Sequence, residues 1–267
     1  MMSMLQRLRM LRAIIIPALT LAIFFFLYIP ILVLVAYSFQ PVQSAWSWSH
    51  WTLEWYRELL ASADIWYALR NSIIVAVSSS VLSVCMGVLA VYAWGHRHAK
   101  FLISFYASVL IPEIVLAVGL LSVFAFLQVP LGLTTLIVGH TLLGLGFVIP
   151  LIHGRFLELD QHLIEASLDL GATHWQTFWQ VIVPILRPAI GAAALLVLII
   201  SFDDFLISFF CTGAYSQTLS LYIFAMIRAG VSPAINALST VLLVVASVLV
   251  LIFSRLSVRQ EQEDLDE

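Results

Sequence analysis

Six apolar runs alternate with shorter polar interruptions along this chain, at residues 13–38, 72–94, 101–127, 135–152, 189–210 and 236–253. Each is close to or above the ~20 residues that an α-helix needs to cross a bilayer. The pattern therefore predicts an all-α integral membrane protein with six transmembrane helices. Arg7, Arg9 and Arg12 precede the first run, whose apolar core is longer than a secretory signal and has no small-x-small cleavage site, so it reads as a retained span. The segment 40–69 is polar but rich in tryptophan (Trp46, Trp48, Trp51, Trp55 and Trp66), a residue that gathers at the membrane–water boundary. A short interfacial helix is expected around Trp55–Leu60. Residues 211–235 read as a loop, and 257–267 as an acidic tail.

The longest polar interruption, 153–187, has its own periodicity. Leu159, Leu163, Ala166 and Leu170 recur at spacings of four, three and four, which makes one apolar stripe on a helix. Gly171 stands where a helix ends in the left-handed conformation. Thr173 with Gln176 forms a capping-box pattern for a second helix. That helix carries Trp175, Phe178, Trp179 and Ile182 on one face, and Pro184 and Pro188 are expected to close it. So apolar a helical hairpin must pack against something. It either folds back on its own membrane domain or docks into another protein.

Composition narrows the options. Apolar residues make up 62% of the 267-residue chain and charged residues 10%, with a mean hydropathy of +1.05. An ordinary soluble domain is about 25% charged. The net charge of −3 and the dispersed basic residues argue against nucleic-acid binding. Two cysteines, Cys85 and Cys211, both in or beside apolar runs, suggest no disulfide framework. His96-x-His98 has no third ligand nearby and reads as part of a basic loop, so no metal is expected. Lys100 is the only lysine and has no glycine-rich phosphate loop around it, so any ATP hydrolysis must occur on another chain.

Six spans put both termini on one side. Nine of the twelve Arg and Lys residues fall in the termini, the 95–100 loop and the hairpin, against Arg57, Arg70 and Arg228 on the other side. By the positive-inside rule the termini and the hairpin are cytoplasmic.

Three carboxylates lie inside the apolar runs: Glu113 in the third, Asp203 and Asp204 in the fifth. An aspartate near the middle of a spanning helix costs about 2.5–3.5 kcal/mol on insertion scales, so such residues face a cavity or a partner. At a rise of about 1.5 Å per residue, Glu113 lies ~18 Å and Asp203 ~21 Å from the cytoplasmic ends of their runs, similar depths. Ser201, Asp204, Ser208 and Cys211 recur at three, four and three as one polar stripe. This places Asp204 on a water-filled path and Asp203 at its edge, with no cationic residue at that depth to neutralise them. Unpaired acids in a path suit a cationic solute. Phe202, Phe205 and Tyr222 could add cation–π contacts or could simply pack. The alternative for the acids is that all three pack at helix interfaces, hydrogen-bonded or protonated.

Two stretches carry a family resemblance. Glu165-Ala166-Ser167, then Gly171-Ala172, then Val181, Val183 and Pro184 resembles the EAA loop of permease subunits of binding-protein-dependent ABC importers, with Ser167 in place of the second alanine. The run Ser201-Phe202-Asp203-Asp204-Phe205 with Ser208-Phe209-Phe210, Thr218 to Tyr222, Gly230 to Pro233 and Pro112-Glu113 is similar to the second permease subunit of spermidine/putrescine importers. Ser220 stands where a proline is usual, a change that could loosen its loop. The resemblance implies the type I importer permease fold over residues 13–256, between a cytoplasmic 1–12 and the cytoplasmic tail, in a bacterial inner membrane. It implies a second homologous permease, a periplasmic polyamine-binding protein and a pair of ATPase subunits that carry the ATP and Mg. It also implies that Glu165, Ala166, Ser167, Gly171, Ala172, Trp175, Phe178 and Pro184 couple to that ATPase. It leaves putrescine against spermidine open.

Two other classes compete. An intramembrane aspartyl protease needs two facing aspartates from different helices, whereas Asp203 and Asp204 are neighbours on one. A self-contained cation channel or transporter, or an importer of another small cation, accounts for the acids, but a channel leaves the hairpin unexplained.

Overall fold

The computed structural model describes residues 4–41, 51–94, 105–106, 109–230 and 232–248, and every regular element among them is helical. Among the described residues, four helices are long and apolar enough to cross a membrane: Ile15–Tyr37 within α1 (Met4–Tyr37), α3 (Ala63–Trp94), α5 (Leu133–Leu157) and the continuous helix His174–Asp203. Shorter apolar helices are α4 (Glu113–Phe126), α10 (Leu219–Ala229) and α11 (Pro233–Val248). The contacts divide the chain into two units, 1–62 with 226–267, and 63–225.

In the first unit, the chain beyond α1 turns back through a compact polar corner. Ser38 Oγ lies 2.6 Å from Tyr56 Oη, Trp55 Nε1 donates to the Gln40 carbonyl at 2.8 Å, and Phe39 packs on Trp51 and Tyr56. Tyr56 and Trp55 belong to α2 (Glu54–Ala61), the short helix expected beside the first span. The tail, the 95–100 loop, Trp46 and Trp48 lie outside the described residues.

The second unit is a bundle of α3, α5 and α8 (Val183–Asp203) that packs by small residues. Ser80 Oγ donates to the Ala194 carbonyl at 2.8 Å and Ser83 Oγ to the Thr141 carbonyl at 3.0 Å. A side chain on Gly144 would stand 2.4 Å from Ser83 Oγ and 2.8 Å from Val197 Cγ1. Where lipid is as apolar as leucine, close backbone approach and interhelical hydrogen bonds are what hold helices together. Val91, Val148, Ile152, Phe156, Phe178 and Ile182 form the core at one end of the bundle. Val75, Ala117, Phe124, Leu136, Ile207 and Cys211 form a second cluster.

Several boundaries differ from the sequence pattern, each for a local reason. The second apolar helix starts at Ala63, nine residues before 72, because amphipathic positions such as Ala68 and Asn71 are already buried. The third run is not one helix from 101: α4 starts at Glu113, directly after Pro112, whose ψ of 128° is extended. Residues 211–235 are not simply a loop, since they contain the eleven-residue α10. Pro184 and Pro188 do not end the helix begun at His174. A π turn at Phe178–Ile182 precedes Pro184, with Val183 N–H bonding to the Phe178 carbonyl five residues back. The wider turn makes room for a proline ring that would otherwise meet the carbonyl four residues earlier. The helix then runs on to Asp203.

Candidate functional site: a helical hairpin and a buried acid cluster

The polar interruption begins later than 153, since α5 continues to Leu157. It then forms α6 (Gln161–Asp169) and α7 (His174–Thr177), joined by a turn with Gly171 at φ +88°. The Asp160 carboxylate caps α6 by accepting from His162 N–H, and Thr173 and Gln176 form the capping box of α7. Ser167 Oγ lies 3.0 Å from Thr177 Oγ1, so the serine at an alanine position adds a tie between the two helices.

The two stripes part company. Phe178 and Ile182 are buried in the bundle core, and Tyr92 at the end of α3 packs its ring at a tilt against Phe178 while its hydroxyl donates to the His174 carbonyl at 2.9 Å. Trp175 and Trp179 remain more than half exposed and pack on Phe178 from outside. Of the first stripe, Leu159 packs half-buried on the core together with Ile164 of α6, whereas Leu163 is 49% and Leu170, just past the end of α6, 89% exposed, and Ala166 and Glu165 are exposed too. Ala172 is half-buried. The second half of the hairpin folds back on its own domain, and the first half, anchored there by Leu159 and Ile164, leaves Leu163, Ala166 and Leu170 uncovered.

Deeper in the bundle, the fifth run is interrupted. The helix ends at Asp203, Asp204 is extended (φ −61°, ψ 129°), and α9 (Leu206–Cys211) restarts after it. The single helical stripe Ser201–Asp204–Ser208–Cys211 is thus broken, although all four side chains are still buried. Asp204 accepts from the backbone N–H groups of Ile207 at 3.4 Å and Ser208 at 3.0 Å, capping the restarted helix. Its own carbonyl accepts from Ser220 Oγ at 2.6 Å. Ser220 therefore does not loosen its loop but pins it to the break.

Sequence reasoning missed His140 on α5, a neutral-looking residue in an apolar run. Its ring reaches Ser201 Oγ (2.8 Å), Asp204 Oδ2 (3.4 Å) and Ser208 Oγ (3.5 Å), and Ser79 on α3 donates to Ser201. The carboxylate expected to lack a neutralising neighbour has a histidine beside it. The Ser201–His140–Asp204 order is that of a hydrolase relay, but Ser201 is 6% exposed and the other two side chains 0–1% exposed, which closes the serine to substrate and water.

The other acids sit differently. Glu113 is half-buried, close enough to Asp204 for the two carboxyls to interact directly, and lines a cavity of about 680 Å³ with Leu116, Gly119, Phe147 and Ile200. Asp203 is exposed and pairs with no described residue. Phe205 packs on Phe209 and Phe224, Phe202 and Tyr222 are half-buried, and no described contact joins these rings to the acids.

Residues 83–262 match the sequence family described as binding-protein-dependent transport system inner membrane component. The chain belongs to this family. It is the membrane-embedded, multi-pass permease subunit of an ABC importer, a class of subunit that is not catalytic alone. The permease is 34% identical over 234 residues to the spermidine/putrescine transport system permease protein PotC of Escherichia coli, covering 86% of this chain and 89% of that one. It is 31% identical over 253 residues to the E. coli putrescine transport system permease protein PotI, covering 90% and 89%. A crystal structure of a bacterial ABC transporter involved in the import of the acidic polysaccharide alginate matches with a TM-score of 0.77 at 16% identity, over 96% of this chain and 98% of that one, which establishes the shared fold.

Proposed function

We propose that this permease forms half of the translocation pore of a polyamine importer. The observation that carries the reading is the 31–34% identity to PotC and PotI over 86–90% of the chain. The acids support it, since the half-buried Glu113 lines the cavity beside the buried Asp204 and Asp203 is exposed one residue away, carboxyls that would attract a cationic amine. In this reading six spans cross a bacterial inner membrane with both termini cytoplasmic. The other half of the pore is a second, homologous permease, and a periplasmic binding protein delivers the solute.

The hairpin is the docking element for the ATPase pair, which binds ATP and Mg²⁺. Its uncovered α6 stripe faces the ATPase, while Phe178, Ile182 and Tyr92 fix the rest to the ends of α3 and α5. Displacement of α6 is thereby passed to the bundle that carries Glu113 and Asp204. The test is reconstitution of the complete importer in proteoliposomes, with uptake and ATP hydrolysis measured against putrescine, spermidine and uncharged solutes of similar size. Stimulation by the amines alone supports the reading, and stimulation by an uncharged solute instead overturns it.

A further inference from the structure

The break at Asp204 leaves two helical pieces with no continuous backbone hydrogen bonding between them, and one side chain from another helix touches both. His140 Nδ1 meets Ser201, on the piece before the break. His140 Nε2 meets Asp204 at the break and Ser208 on the piece after it. The two nitrogens flank one carbon of a rigid ring and their hydrogen-bonding directions diverge, so a single residue spans the interruption. The surroundings complete the clamp: Ser79 donates to Ser201 from α3, and Ser220 donates to the Asp204 carbonyl from α10. Every buried side-chain nitrogen and oxygen among the described residues has a partner, so this network is fully satisfied, the condition under which buried polar groups rigidify a structure.

We propose that His140 is a positioning residue for transport: it holds the span interrupted, so that Asp204 stays inside the bundle beside Glu113 while Asp203 is left exposed. Without the clamp the two pieces can rejoin as one helix. In a continuous helix successive side chains step by about 100° around the axis. Asp204 would then leave its cap on Ile207 and Ser208, and both acids would be re-aimed. His140 touches no pore surface itself, being 1% exposed, and acts only through the residues it holds.

The proposal uses the polyamine reading only to choose the assayed solute. In the complete importer, uptake is measured for wild type, His140→Leu, His140→Gln, Asp204→Asn and the His140→Leu/Asp204→Asn double variant, with recovery of the assembled complex scored in parallel. The expected result is an apparent KM raised about tenfold or more in His140→Leu. His140→Gln, which keeps a donor and an acceptor, should be largely rescued, and the double variant should be no worse than the poorer single one, because groups acting through one contact are not additive. A wild-type KM in His140→Leu, or effects that multiply in the double variant, overturns the proposal. If His140→Leu does not assemble, Ser201→Ala and Ser208→Ala each remove one side of the clamp, and wild-type KM in both overturns it. If wild type takes up no polyamine, the polyamine reading fails, and the same comparison is made with the solute that stimulates its ATPase.

Discussion

The hairpin offers the sharpest test of coupling, because its two faces are predicted to fail in opposite ways. Replacing Leu163 and Leu170 together with alanine removes side chains that are 49% and 89% exposed and pack on little of this chain. Exposed substitutions of this kind usually change stability by no more than about 0.5 kcal/mol. If an ATPase subunit covers the stripe, the same truncations remove about three carbons each from an interface. At about 0.8 kcal/mol per buried CH₂, scaled for the half-exposed Leu163, the lost contact is worth about 3–4 kcal/mol. That is about 150- to 700-fold in affinity. Phe178→Ala makes the opposite change. Phe178 is 2% exposed, with Tyr92 at 4.8 Å and Trp175 at 5.5 Å between ring centroids. Emptying that site is expected to cost about 3–5 kcal/mol of folding stability. The assay is a titration of detergent-solubilised permease complex with purified ATPase, alongside thermal unfolding of the permease. The expected outcome is weak ATPase binding by a normally stable Leu163→Ala/Leu170→Ala protein, and early melting of Phe178→Ala. Unchanged ATPase affinity in the double variant would refute the docking assignment, and a double variant that melts as early as Phe178→Ala would show that the stripe packs at home.

Three further outcomes are expected. Gly171→Ala should lower stability by about 1–2 kcal/mol from backbone strain alone, since φ is +88° and no atom lies within 4 Å of the added carbon; Gly171→Asn should recover part of it, and equal melting of both variants with wild type would deny the left-handed turn. Asp203→Asn should leave unfolding within about 0.5 kcal/mol of wild type while impairing uptake, whereas Asp204→Ala should impair uptake and also remove a helix cap, a loss of about 1 kcal/mol in thermal or denaturant unfolding. Normal uptake in Asp203→Asn would take that residue out of the solute path. Gly144→Ala forces a methyl to 2.4 Å from Ser83 Oγ, and overpacking of this kind costs about 1–3 kcal/mol; a permease with unaltered melting would mean that α3 and α5 can separate more freely than their serine bonds suggest.

What could be read from the sequence divides by the range of the interaction that decides it. The Gly171 turn and the Thr173–Gln176 capping box are set by residues within four positions of each other, and both were legible. So was the helicity of the long apolar runs, which only a bilayer accommodates. Pro184 misled because its effect depends on the turn before it: a proline stops a regular helix, but it rides on a π turn whose carbonyl has moved out of the way. Pro112 had the opposite effect, and the helix starts with Glu113 rather than carrying it in mid-span.

The acid cluster shows why depth and periodicity are not enough to place a charge. Counting at helical spacing put Asp204 on a wet stripe and Asp203 at its margin, and it assumed a continuous helix. The chain instead breaks at Asp204, and a break inside a hydrocarbon layer must satisfy the backbone groups it frees. Asp204 answers for the N–H groups of Ile207 and Ser208, Ser220 for the freed carbonyl, and His140 for the carboxylate itself. Those partners lie up to 64 positions away, on α5 and α10, so no local pattern announces them. The buried carboxylate is therefore the one with structural work to do, and in the proposed transport reading its exposed neighbour Asp203, which pairs with no described residue, is the one free to meet a passing cation.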